Sequence, residues 1–229
     1  MPNIEALKAS NAIRWANAKL TRGPEFDRVA DRLVGARARY KAVEARTGVP
    51  WFIVAVIHQR ESSGSFAGVL HNGEKIIGTG KVTKLVPKGR GPFSSWEEAA
   101  VDALVNCHPY AARNKDWSPG GALALLEQYN GLGYYNKGIP SPYIWAGTNQ
   151  YQKGKYVADG KFDPNHVDQQ LGCAGIIKAM NTIDPSVKFT GSAAPPPPDI
   201  PAPEPAQPAP SGGLFAAIAA LLAALFKRN

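Results

Sequence analysis

Glu61 is the residue whose position most strongly suggests chemistry. It ends the segment WFIVAVIHQRE (residues 51–61), in which seven consecutive apolar residues precede a polar end, and small residues (SSGS) follow it. Burial at the edge of an apolar core disfavours a charged carboxylate and raises its pKa. A raised pKa keeps the proton on the carboxyl at neutral pH, as a general acid requires. The sequence leaves one alternative open, a solvated carboxylate paired with Arg60.

Helices are the elements that must position this residue. The apolar segment itself is apolar all round, which is typical of a helix in the middle of a core. Periodic apolar residues and capping signals such as Ser95, Ser118-Pro119 and Gly48 predict further helices. We expect helices over about 3–20, 24–46, 50–61, 95–106, 119–129 and 163–182.

Two stretches do not show a helical pattern. Residues 62–93 contain glycines at 64, 68, 73, 78, 80, 89 and 91, which predicts a loop-rich lobe with two or three short strands. Residues 130–162, rich in Gly, Tyr and Asn, predict a long loop. The expected fold class is therefore mainly α, with some α+β character. A helical domain surrounds a buried central helix and carries a small β-lobe.

Two motifs carry a family resemblance. WFIVAVIHQRESSGSF resembles the motif of the lysozyme-like superfamily, which includes soluble lytic transglycosylases, and LLEQYNGLGYY resembles its Tyr-Asn-Gly motif. The region from about 50 to 182 looks most similar to phage endolysins. The resemblance implies a lysozyme-like fold. Residues 1–45 lie outside it and are expected to be helices that complete the core, so the predicted catalytic domain spans residues 1–190. It also implies cleavage of the β-1,4 bonds between N-acetylmuramic acid and N-acetylglucosamine in peptidoglycan, with Glu61 as the acid.

The resemblance also implies a second catalytic group and a sugar-binding cleft. Hydrolysis needs a group that activates water or stabilises the positive sugar ring, and Glu74 and Thr79 on the β-lobe are the candidates. Glu74 could instead be a turn carboxylate beside Lys75. Amide and aromatic side chains suit hydroxyl, N-acetyl and C–H groups of sugars, although aromatic residues also fill cores. The candidate substrate-binding residues are His71, Asn72, Tyr129, Asn130, Tyr143 and Trp145.

The sequence departs from the transglycosylase pattern, which leaves the reaction open. The Gly-Leu-Met-Gln motif is absent, and GVLHNGEKIIGTG follows Glu61 instead. We expect a muramidase-type hydrolase, with two alternatives. One is a lytic transglycosylase that leaves 1,6-anhydro ends. The other is a catalytically silent module of the same fold that binds cell wall or chitin.

The amino-acid composition limits which partners and cofactors are expected. The net charge of +8 lies entirely on residues 1–193, because Asp199, Glu204, Lys227 and Arg228 cancel. A basic surface suits the anionic wall, an anionic membrane or nucleic acid. The basic residues of the segment 24–46 match an ordinary solvated helix face, so no nucleic acid is expected. Two cysteines (Cys107 and Cys173) are expected to be small buried residues. No metal or other cofactor is expected, since the histidines show no ligand spacing.

The two ends of the chain bear on location. The first 20 residues lack an apolar run of signal-peptide length, so we expect synthesis in the host cytoplasm without a signal peptide and action on the periplasmic wall. Residues 191–211 are predicted to be a Pro-rich linker. Residues 212–229 are predicted to form a hydrophobic helical tail, and its apolar part, 214–226, is too short for a comfortable membrane crossing. Contact with a membrane, a partner helix or another copy of the chain is expected of it.

Overall fold

The apolar segment at the centre of the sequence forms the central helix of the fold. In this computed structural model, which describes residues 2–191, helix α4 spans Trp51–Ser62, and every residue from Trp51 to His58 is buried. The helix ends where Ser63 adopts a left-handed conformation with φ of 54°. Glu61 therefore lies on the last turn of a helix whose first two turns are inside the core.

The other elements surround this helix and make the fold mainly helical, as predicted. The helices before it are α1 (Ile4–Asn17), α2 (Gly23–Gly35) and α3 (Arg37–Thr47). Those after it are α5 (Trp96–Asn106), a 3-10 turn (Ala111–Arg113), α6 (Pro119–Asn130), α7 (Gly133–Asn136), α8 (Pro142–Trp145) and α9 (Cys173–Ile183), and a hairpin of β1 (Lys155–Ala158) and β2 (Lys161–Asp163) precedes α9. Helix α4 packs on α3 and α9, while α1 packs on α6 and α2 on α9.

The single helix predicted over 24–46 is in fact two helices. Helix α2 ends at Gly35, and Ala36 leaves helical geometry with φ of −90° and ψ of 9°. Glycine has a low helix propensity, so the chain bends at this point at little cost. The bend lets α2 pack against α9 while α3 packs against α4 and α5.

The strands lie elsewhere than the sequence predicted. Between residues 62 and 93 the structure contains one isolated bridge, Gly68 to Lys75, and no strand pair. Turn geometry explains this, since the positive φ angles of glycines such as Gly73 and Gly78 repeatedly reverse the chain. The antiparallel hairpin β1–β2 instead falls inside the stretch that was predicted to be a long loop.

The final helix begins ten residues later than predicted. Asp163 closes β2, and its carboxylate accepts a hydrogen bond from the Asn165 N–H at 2.8 Å, which forms a turn where a helix start was expected. Helix α9 starts at Cys173 instead, after Gly172. No helix among residues 2–191 is long and apolar enough to span a membrane. The predicted linker and tail lie outside the described residues, apart from Gly191 at the start of the linker.

Candidate active site

Glu61 combines partial exposure with a strongly perturbed carboxyl group. Burial raises the pKa of Glu61 to about 7, although a hydrogen bond from Tyr143 and the charge of Arg60 both act to lower it. The Tyr143 hydroxyl donates to Oε1 of Glu61 at 2.9 Å. The residue keeps part of its surface exposed. The raised pKa of Glu61 agrees with the prediction from the sequence, and its partial exposure keeps the residue from being fully closed off.

Two glycines bring a loop directly against the end of α4. A Cβ added at Gly73 would lie 2.1 Å from the Glu61 carbonyl oxygen, and one at Gly68 would lie 2.6 Å from Cβ of Ser62. Only glycine permits such a close backbone approach. The loop 68–75 is thus packed against the residue that carries the candidate acid.

Arg60 does not pair with Glu61, which the sequence had left open as an alternative. Its guanidinium donates to Oδ2 of Asp168 at 3.0 Å and lies over the ring of Tyr143, 4.8 Å from the ring centroid. Lys155 donates to the other oxygen of Asp168 at 2.7 Å. Burial opposes ionisation of Asp168, but Arg60 and Lys155 hold its pKa below the usual range. This network fixes Tyr143, which in turn contacts Glu61.

A cavity of about 510 Å³ opens beside this network. Its wall includes Tyr143, Tyr134 and Asn130 from the helical side, and Lys155 and Tyr156 from the β1–β2 hairpin. Tyrosine rings and amides beside a charged network can hold a polar ligand with C–H faces. The sequence did not predict Arg60, Lys155, Tyr156 and Asp168 as site residues. The pair Lys155-Tyr156 was the available signal, but nothing in its spacing linked it to Glu61.

The side chains predicted as second catalytic groups, Glu74 and Thr79, form hydrogen bonds within their own loop in this structure. The Glu74 carboxylate accepts from the backbone N–H groups of Lys84 and Leu85, at 2.9 Å each at the closest oxygen, and these bonds lower its pKa. Thr79 is exposed, and its hydroxyl donates to the Ile76 carbonyl at 2.8 Å. Asn72 likewise donates to the carbonyl of Leu85 at 3.2 Å. None of these three side chains hydrogen-bonds to Glu61 within the described residues.

The remaining candidates fall into three places. Asn130 is exposed at the first cavity. His71 and Tyr129 line a separate cavity, also of about 510 Å³, and the Tyr129 hydroxyl donates to the Leu70 carbonyl at 2.9 Å. Trp145 is fully buried and has no exposed face, so its assignment to substrate binding is corrected to a core residue. Trp145 belongs to α8, and burial of its large apolar ring in the core stabilises the fold.

Comparison of the chain with known protein families, characterised proteins and solved structures returned no match. The family resemblance therefore stays a prediction that rests on two motifs. In the structure the Glu-Ser motif ends α4, and Tyr129-Asn130-Gly131 ends α6. Burial raises the pKa of Tyr129, and the nearby charge of Glu61 adds to the rise. The fold thus brings the two motifs close together.

One cluster has the composition of a metal site. His71, Asp102 and Cys107 place potential ligand atoms within 4.8 Å of one another, although the sequence showed no ligand spacing. The Asp102 oxygens, however, accept from Arg90, Asn106 and His71. A guanidinium on the same carboxylate repels a cation, so the cluster does not fit one. Cys173 is buried as predicted, whereas Cys107 is partly exposed.

Proposed function

We propose that this protein cleaves the glycan strands of peptidoglycan, with Glu61 as the general acid. The protein would be a lysozyme-like muramidase that acts on the β-1,4 bonds between N-acetylmuramic acid and N-acetylglucosamine. The observation that carries the proposal is the state of Glu61. It is a carboxyl with a pKa of about 7 at the end of a buried helix, held by Tyr143, which also lines a cavity.

The arrangement supports a specific proton transfer. Because Oε1 of Glu61 accepts the Tyr143 hydrogen bond, the proton is placed on Oε2, the oxygen without that donor. Transfer of this proton to the glycosidic oxygen allows the bond from that oxygen to the sugar C1 to break. Positive charge then develops on the ring. Glu61 is left as a carboxylate, which can take up a proton again when the ring is captured.

Two cavities are lined by tyrosines that interact with Glu61. Tyr143, which donates to Glu61, lines one cavity, and Tyr129, whose pKa the charge of Glu61 helps to raise, lines the other. A glycan strand has sugar units on both sides of the bond that is cut. The net charge of +8 also favours an anionic wall.

A second outcome of the same chemistry is favoured by the state of two other carboxylates. Glu74 is bonded to backbone N–H groups and Asp168 to Arg60 and Lys155. The pKa of each carboxyl is lowered, which makes each a weaker base toward water. Capture of C1 by the C6 hydroxyl of the same sugar needs no second carboxylate, because the hydroxyl proton can pass to Glu61. A lytic transglycosylase that gives 1,6-anhydro ends is therefore the second candidate.

Digestion of purified Gram-negative sacculi, with the released muropeptides identified by mass, tests the proposal. We expect wild type to release them and Glu61→Gln to be at least about 100-fold slower. Reducing muramic acid ends identify a hydrolase, and anhydro ends identify a transglycosylase. Equal rates for the two proteins would contradict the proposal. No release by either protein, with binding to sacculi retained, would favour a silent binding module.

The proposal on location extends to the ends of the chain. Synthesis in the host cytoplasm, action on the periplasmic wall and membrane contact through residues 214–226 remain predictions from the sequence. Removal of residues 212–229, followed by flotation with anionic vesicles, tests the membrane contact. Unchanged flotation of the shortened protein would contradict it.

A further inference from the structure

The cavity lined by His71 and Tyr129 differs in charge from the cavity beside Tyr143. Its polar lining consists of Lys88, Arg90, His71, His108, Asn106 and Tyr129. Of the described residues that line it, two are permanent cations and none is a carboxylate. Asp102 lies behind the wall and bonds to Arg90.

Hydrogen bonds to Asp102 hold the basic wall in place. Burial opposes ionisation of Asp102, but hydrogen bonds from Arg90, Asn106 and His71 lower its pKa to about 2. His71 stacks on Phe93, with ring centroids 5.5 Å apart. Burial lowers the pKa of His71, so its ring adds no charge. Lys88 is therefore the cation of this wall without an ionic partner among the described residues, whereas Asp102 balances the charge of Arg90, which offers a guanidinium N–H.

Both cations have capacity left for a ligand. The bonds of Arg90 to Asp102 use Nε and Nη2, which leaves Nη1 available. Lys88 is exposed and forms no ion pair with another described residue. A positioned guanidinium N–H and a nearby ammonium are suited to carboxylates. About 510 Å³ is also enough room for several residues of an extended peptide.

We propose that this cavity, the basic cavity, binds the carboxylates of the short acidic peptide that muramic acid carries in peptidoglycan. The proposal rests on the proposed function, because that function brings muramic acid to Glu61. The position of the basic cavity supports it. His71 and Tyr129 lie on its wall, and the Tyr129 hydroxyl donates to the carbonyl of Leu70 in the segment 68–75, which packs on the Glu61 backbone at Gly73. A peptide attached to a sugar beside Glu61 can therefore extend along this segment toward the cavity.

A binding titration with the full chain tests the basic cavity independently of catalysis. The probe is a muramyl tetrapeptide with free carboxylates, and its control is the same molecule with every carboxylate amidated. Glu61→Gln protein is used so that nothing is cleaved. We expect the free form to bind at least ten-fold more tightly than the amidated form. Equal affinities for the two molecules would overturn the proposal.

A pair of exposed lysines provides the matched variants. Lys88→Glu, in the same background, is expected to weaken binding of the free tetrapeptide at least five-fold. Lys81→Glu makes the same charge change on the same loop outside the cavity, and is expected to change it less than two-fold. Equal losses of affinity in the two variants would show that the effect comes from net charge alone and would overturn the proposal.

A kinetic comparison separates failure of this proposal from failure of the proposed function. The ratio of kcat/KM for glycan with peptides to kcat/KM for glycan stripped of peptides is measured with active protein. We expect Lys88→Glu to lower this ratio at least five-fold. An unchanged ratio with both glycans cleaved overturns the peptide site alone. Absence of cleavage of either glycan by wild type overturns the proposed function and, with it, the role assigned to the cavity.

Discussion

Two carboxyl groups in this protein have pKa values raised to about 7 and different surroundings. Burial raises the pKa of both Glu61 and Glu127 to about 7. Glu61 is partly exposed and accepts from Tyr143, which lines a cavity. Glu127 is 3% exposed and accepts from Asn11 at 3.4 Å, itself 2% exposed. A raised pKa therefore reports burial, and only access to a ligand distinguishes a candidate acid from a structural carboxyl.

The packing of α1 on α6 explains why Glu127 is sealed. A Cβ added at Gly120 would lie 2.6 Å from the Lys8 carbonyl oxygen, so the two helix backbones approach closely. Asn11 and Glu127 face each other in this contact. Arg14, whose pKa is lowered by burial, adds a favourable charge to Glu127. Nothing in this environment offers a route to a glycan.

The largest expected effect is the difference in activity between two matched variants. Glu61→Gln should lower the rate of glycan cleavage at least about 100-fold, because the transferable proton is lost. Glu127→Gln preserves the size of the side chain at a site closed to substrate, and should change the rate less than two-fold. Turbidity assays on sacculi measure both. A large loss of cleavage rate in Glu127→Gln, with its fold intact by circular dichroism, would contradict the distinction between Glu61 as an acid and Glu127 as a structural carboxyl.

The next effect is on stability as a function of pH. The folded protein holds the Glu127 proton more tightly than the unfolded chain does, so the contribution of Glu127 to stability is greatest below pH 4.5 and is lost as pH rises to about 7. The size of this fall is about 3 kcal/mol for one such group. Glu127→Gln should remove the part of this fall that Glu127 contributes. Urea unfolding at pH 5 and pH 8 measures the free energy of unfolding.

The matched control for this prediction is Glu61→Gln. Glu61 has a raised pKa of similar size, so each single variant should remove a comparable part of the fall and the double variant most of it. If the free energy of unfolding of the Glu127→Gln protein depends on pH as that of wild type does, Glu127 titrates as an ordinary carboxyl. The comparison of two raised pKa values would then be wrong for Glu127.

The smallest expected effect concerns the hydrogen bond that only Glu61 has. Tyr143→Phe removes the donor that lowers the pKa of Glu61. The alkaline limb of the pH profile of kcat/KM should therefore move upward, by about one unit or less. Tyr134→Phe, on the same cavity, should leave the limb in place while it weakens binding. A shift of equal size in both variants would mean that Tyr143 does not act on Glu61 directly.

Sequence patterns predicted the parts of the fold that depend on local signals. The apolar run at 51–57, the cap at Ser95 and the Ser118-Pro119 start each correspond to an observed helix. The errors lie where long-range packing decides. Ala36 divides one periodic segment into two helices because each half packs against different partners. The hairpin at 155–163 forms beside α7, and its Tyr156 packs edge-to-face on Tyr134, which no short-range pattern reveals.

The candidate site shows the same division. Glu61 was predictable because an apolar helix and the carboxyl at its end are neighbours in sequence. The network that supports it joins Arg60 to Asp168, which are 108 residues apart. Trp145 was misassigned because an aromatic residue between Gly-rich segments has the same local pattern whether it fills the core or faces a ligand. Glu127 shows the converse, since its helix pattern does not reveal that its carboxyl is sealed.

The contact between Gly73 and the Glu61 carbonyl oxygen has a consequence for how this fold can diversify. Because that backbone contact leaves no room for a side chain, the position of the segment 68–75 relative to the end of α4 is fixed. The rest of the lobe is connected to α4 through this segment. Insertions or deletions in the outer turns, from 78 to 91, can reshape the lobe only where they keep the bonds of Glu74 to Lys84 and Leu85, which join those turns to the segment. A length change within 68–75 alters the spacing between Glu61 and everything the lobe carries. Evolution or design can therefore vary the outer turns within that limit, while the backbone position of Glu61 stays constant.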